Sequence, residues 1–164
     1  VIASDEATGG RLAVRHLVTL GHRDITCVSG PGASASERER GYTAEMLAQG
    51  LAPRVVRAAE TSESAARAVV GAELFADPGP TAVFAVNDPM AVGVIGAARA
   101  AGIDVPGDLS VVGYDDSPLA AYELVSLTTI GGNPRALGEQ ADAPVQAPLM
   151  PRVVERSSTA PRSH

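Results

Sequence analysis

The sequence predicts an α/β domain, a parallel sheet with helices on both faces. Three observations lead there. Short apolar runs alternate with longer segments of helical period in four helix-plus-strand repeats of similar length. The strand-like runs do not alternate polar with apolar residues, as parallel strands buried on both faces do not. Glycine and proline fall at the joints, as at Gly21, Gly30-Pro31-Gly32 and Gly102.

The totals fit one such domain. A chain of 164 residues with 45% hydrophobic and 20% charged residues can bury a single core. Aromatics make up 3% and Trp is absent, so the core is expected to be aliphatic. The net charge is −6, and all 13 basic residues are arginine. An acidic chain without a basic stripe is a poor nucleic-acid binder by itself. The single cysteine, Cys27, excludes an internal disulfide and fits a reducing compartment. No apolar run approaches the ~20 residues of a membrane helix.

In order, Val1-Ile2 reads as the end of a strand already under way, so the start is expected to be a truncation. A helix follows over about Thr8 to Leu20, with Ala13, Leu17 and Leu20 on one face. Ile25 to Ser29 is a short buried strand. Ser36 with Glu39 forms a capping-box pattern that predicts the start of a helix running to Gln49. Arg54 to Ala58 is a third strand, and Ala65 to Ala76 a helix before the break at Asp77-Pro78-Gly79-Pro80.

The best-defined unit is Pro80 to Tyr114. An apolar run, Thr81 to Val86, stops at Asn87-Asp88-Pro89, where either polar residue suits a helix cap and Pro89 the first turn. The helix runs to Ala101, and Leu109 to Val112 is the next strand. Beyond Asp116, Leu127 to Ile130 and Met150 to Arg156 read as short strands and Pro134 to Ala141 as a brief helix. Ala143 to Pro148 cannot continue that helix. Residues 1–156 are thus expected to form the domain and 157–164 a disordered polar tail.

Polar residues gather just after the strands, where open α/β sheets bind ligands. Arg38 is either a solvated first-turn arginine or a fork-shaped donor for hydroxyls, a carboxylate or a purine edge. Ser34 lies in the same loop. Of Asn87 and Asp88, one caps the helix and the other is free to face the crevice. Asp115 and Asp116 are either turn residues or acceptors for a ligand; a metal site would need more convergent carboxylates. Catalytic arrangements are missing. His16, His22 and His164 are not placed to activate Cys27, and no nucleophile elbow, phosphate loop or zinc spacing is present. Neither an enzyme nor a cofactor is indicated.

Several segments, in order, resemble the effector-binding core of the lactose-repressor (LacI/GalR) family of bacterial transcription regulators. They are DEATGGRLAVRHLVTLGH from Asp5, RERGY from Arg38, VNDPMAVGVIGAARAAGIDVPGDLSVVGYDD from Val86, LTTI from Leu127 and LMPRVVERSST from Leu149. The resemblance implies a periplasmic-binding-protein-like fold, a helix-turn-helix headpiece for operator DNA, and a two-lobed core that dimerises around a sugar or nucleobase effector. This chain corresponds to the second lobe, with the headpiece and first lobe expected to precede Val1 in a full-length member. Carried over by motif, Arg38, Asn87 and Asp115 are the expected effector contacts, with Ser34 beside them. Asp5, Glu60, Asp88 and Asp116 are secondary candidates. Glu60 stands where the family often has an aromatic, which favours a hydroxyl-rich ligand. After Gly138-Glu139-Gln140-Ala141 the family's longer helix is cut to ADAPVQAP.

The favoured reading is therefore an effector-sensing, cytoplasmic lobe of a dimeric regulator, with no cofactor, metal or membrane partner. A periplasmic sugar-binding protein serving a transporter is the alternative. A nucleotide-dependent enzyme on a flavodoxin-like sheet is a third reading that no motif supports.

Overall fold

Four strand–helix joints set the architecture in the computed structural model, which describes residues 5–71, 74–76, 78–132 and 150–162. The elements are α1 (Glu6–Thr19), β1 (Ile25–Ser29), α2 (Ala33–Ala48), β2 (Arg54–Arg57), α3 (Glu63–Val69), β3 (Ala82–Ala85), α4 (Asp88–Ala100), β4 (Ser110–Tyr114), a 3-10 turn (Pro118–Ala121), β5 (Thr128–Gly131) and β6 (Arg152–Val154). The sheet order is β2-β1-β3-β4-β5-β6. The first five strands are parallel, and β6 returns antiparallel against β5.

Adjacent residues of β4 show the two covered faces. A Cβ at Gly113 would meet Asp88, Ala91 and Leu127, on the α4 side. The next side chain, Tyr114, lies against Gly9 of α1 on the other side. The core is mostly aliphatic, but the α1–α2 face carries a row of rings. Tyr42, Phe84 and Tyr114 follow one another at centroid spacings of 6.4 Å. The few aromatics are therefore concentrated under the helix that carries Arg38.

Three predicted boundaries need correction. Helix α2 opens at Ala33, behind Gly32 (φ +113), and Ser36 and Glu39 lie within it. The Gly30-Pro31-Gly32 turn starts the helix before the capping-box pattern is reached, and Glu39 instead pairs with Arg57. Helix α3 starts at a Ser62 cap and ends at Val69, not Ala76. Val69-Val70-Gly71 ends it, since β-branched residues and glycine are poor helix formers.

The third correction concerns the tail. Residues 157–162 are not loose. The Ser158 hydroxyl accepts from Thr128 N–H (2.8 Å) and donates to the Val111 carbonyl (2.6 Å). Val111 N–H donates to the Ser158 carbonyl, and Arg162 N–H to the Leu20 carbonyl. One tail hydroxyl thus satisfies a backbone group in each of β4 and β5. The expected strand at Val1-Ile2, residue Asp77, the helix and proline segment from Pro134 to Pro148, and His164 lie outside the described residues.

Candidate functional site

Strand order brings the loops after β1, β2, β3 and β4 to one edge of the sheet. They enclose a cavity of about 330 Å³, lined by Pro31 to Ala35, Arg38, Thr61, Val86, Asn87 and Asp115. Ser34, Arg38, Asn87 and Asp115 were each expected at a ligand site, and all four line this space.

Arg38 is held there by backbone contact between helices. A Cβ at Gly41 would overlap the Ala7 carbonyl, and one at Gly10 the Arg38 carbonyl, so α1 and α2 cross with only glycine between them. The guanidinium is buried, with its central carbon 3.8 Å from the Tyr114 ring centroid. Four of its five N–H groups are directed. Nη1 donates to the Val86 carbonyl (2.8 Å) and Asp115 Oδ2 (3.4 Å), Nη2 to Asp115 Oδ1 (2.8 Å), and Nε to Glu6. Burial opposes the charge, but the Glu6 and Asp115 carboxylates outweigh it and hold the guanidinium above its ordinary pKa. The solvated first-turn arginine is thereby ruled out.

Asp115 sits at φ +109, a conformation that L side chains rarely adopt, and Asp116 at +49. Its N–H donates to the Ile130 carbonyl at 2.7 Å, which fixes the turn, while its carboxylate is half exposed at the cavity. Strain of this kind gathers at ligand sites. Asn87 does two jobs. Its Oδ1 caps α4 by accepting from Met90 N–H (2.9 Å), and its Nδ2 donates to the Thr61 carbonyl (3.0 Å).

The secondary candidates do not join the cavity lining. Asp88 is fully buried; it accepts from Thr129 Oγ1 (2.6 Å) and from Ser117 N and Oγ (2.7 and 2.8 Å), facing away from the crevice. Burial pushes its pKa up against those bonds. Asp116 pairs with Arg156 (2.7 Å), Asp5 caps α1 through Thr8 N–H, and Glu60 is exposed beside the lining residue Thr61. The Asp88, Asp116 and Asp5 carboxylates each have a structural occupation.

Glu6 and Tyr114 were not anticipated, since their contact with Arg38 spans 32 residues in one case and a sheet face in the other. The paired glycines Gly9-Gly10 were the available signal of a close helix approach. Cys27 is fully buried and its thiol pKa is raised well above the ordinary value by burial. His22 is bound to Thr81 and Ala160, and His16 to Thr159. Among the described residues, no group of three His, Cys, Asp or Glu side chains is placed to hold a metal ion.

Residues 14–159 match the family model described as a periplasmic binding protein-like domain. The HTH-type transcriptional regulator MalR of Streptomyces coelicolor is 35% identical over 97% of the chain and 52% of its own length. A LacI-family transcriptional regulatory protein from Corynebacterium glutamicum superposes with TM-score 0.88 at 35% identity, over 97% of this chain and 68% of that one. A LacI family regulator from Enterococcus faecium, solved with bound ribose, gives TM-score 0.79 at 28% identity over 98% and 65%. The chain spans about half the length of curated relatives such as MalR.

Proposed function

The chain belongs to the LacI family of regulators through its periplasmic binding protein-like domain, and from that premise we propose that it is an effector-sensing lobe of a transcriptional regulator. The observation that carries this reading is the convergence of Arg38, Asn87 and Asp115 on one cavity. The half-exposed Asp115 carboxylate accepts from ligand hydroxyls or N–H groups, and Asn87 Oδ1 offers a further lone pair. The first-turn N–H groups of α2 meet ligand oxygens, because Gly32 has no side chain to cap them. A sugar-like effector matches this set of groups, and the ribose bound to the Enterococcus faecium relative supports that class.

In the intact protein, a first lobe would close over the ligand and a helix-turn-helix headpiece would bind operator DNA. The lobe would act in a cytoplasmic homodimer, without catalysis. Effector closure would shift the orientation of the headpieces, with a coupling of ~1–3 kcal/mol as is typical of linked sites. Half a cleft binds effector weakly, and an acidic chain without the headpiece does not recognise operator. The transporter alternative is not favoured, because the matched relatives are transcription regulators.

Thermal melting of the chain against sugars, sugar phosphates and nucleobases tests the reading, with Arg38→Ala and Asp115→Ala alongside. One ligand class raising the melt, with the effect lost in both variants, supports it. Equal shifts in both variants would remove these residues from the site.

A further inference from the structure

Arg38 and Asp115 are the only ionisable residues among those lining the cavity. The single positive charge of Arg38 is shared by two carboxylates, Asp115 at the cavity and Glu6 outside its lining. Summed over these three groups, one negative charge is in excess. Asp116 does not alter the sum, because Arg156 neutralises it. The uncapped N-terminus of α2 contributes roughly half a positive charge, which is smaller than that surplus.

We propose that Glu6 is a specificity-determining residue: by neutralising Arg38 it makes the cavity select uncharged, hydroxyl-bearing ligands over phosphorylated or carboxylated analogues. This rests on reading the cavity as the effector site. An anion would find four of the five Arg38 N–H groups already engaged and would have to settle beside the Asp115 and Glu6 carboxylates. A hydroxyl group donates to the half-exposed Asp115 carboxylate without breaking any of these bonds. Glu6 acts through Arg38, so it is a positioning residue and need not touch ligand.

Two variants separate charge from geometry. Glu6→Gln keeps an oxygen within reach of Nε and removes the charge; Glu6→Ala removes both. Melting would be followed with inorganic phosphate against chloride of equal ionic strength, and with D-ribose against ribose 5-phosphate. Phosphate should leave the wild-type melt unchanged and raise that of Glu6→Gln, and Arg38→Ala added to that variant should abolish the gain. Wild type stabilised by phosphate as much as Glu6→Gln would overturn the proposal. The Arg38 Nε–H resonance in a ¹⁵N spectrum gives a readout that needs no ligand. It should persist in Glu6→Gln and broaden away in Glu6→Ala; an unchanged signal in Glu6→Ala would show that Glu6 does not position Arg38. If ribose moves no protein while phosphate moves Glu6→Gln alone, the charge assignment stands and the sugar reading fails.

Discussion

Arg38 and Asp115, 77 residues apart, meet through both terminal nitrogens of the guanidinium, at 2.8 and 3.4 Å. Asp115 makes this contact from a backbone conformation with φ +109. A conformation of that kind costs on the order of 1–3 kcal/mol in a non-glycine residue. The ion pair itself, with one partner half exposed, returns no more than about 1 kcal/mol. Asp115→Gly should therefore leave urea stability unchanged or raise it by about 1 kcal/mol, while abolishing any ligand-induced shift in melting. A clear loss of stability would mean that the turn is not strained.

Close helix approaches, α1 on α2 at Gly41 and α3 on α4 at Gly96, give two glycines opposite signs. A methyl group at Gly41 collides with the Ala7 backbone, which has no side chain to swing aside. Gly41→Ala should cost on the order of 1–3 kcal/mol. At Gly96 the nearest atoms are the end of the flexible Arg67 side chain, at 3.3 Å. Gly96→Ala should be neutral or gain up to ~1 kcal/mol from helix propensity. Chemical denaturation of both variants checks the contrast.

Ser158 tests the C-terminal strap. Its hydroxyl serves one buried donor and one buried acceptor, Thr128 N–H and the Val111 carbonyl. Ser158→Ala should cost on the order of 2–3 kcal/mol, because both backbone groups stay buried without a side-chain partner. A disordered tail would give no effect.

His22 supplies a pH dependence. The Ala160 carbonyl can only accept, so Nε2 carries the proton, and Nδ1 accepts from the Thr81 hydroxyl at 2.8 Å. Burial lowers its pKa below the ordinary 6.5, so the folded protein binds fewer protons than the unfolded chain in that range. The contribution is present above about pH 6.5 and is lost as pH falls through the lower, folded value. His22→Gln should show a shallower decline in stability than wild type between neutral and mildly acidic pH; parallel declines would contradict the assignment. His16, lowered chiefly by burial, also feels the charge of His22, so His22→Gln relieves a small part of the His16 shift as well.

The sheet and the cavity were largely legible in the sequence because they depend on local signals. Asn87 before Asp88-Pro89 is a cap wherever a helix follows, and it caps α4 here. What escaped depends on distant partners. Nothing near Asp88 reveals that Ser117 and Thr129 will bury it, and nothing near Arg38 reveals Glu6. Ser36 and Glu39 had the right spacing for a cap, but the glycine turn before them had already started the helix. Ser158 is polar by composition, yet backbone groups of β4 and β5 give its hydroxyl buried partners.

The most direct measurement is a D-ribose titration of the ¹⁵N-labelled chain, followed by two-dimensional NMR. If this lobe carries half of an effector cleft, weak binding will shift the signals of Gly32 to Ala35, the Asn87 side chain, Asp115 and Arg38 Nε–H, and leave those around His22 unmoved. Nanomolar affinity, or shifts confined to another face, would contradict the account.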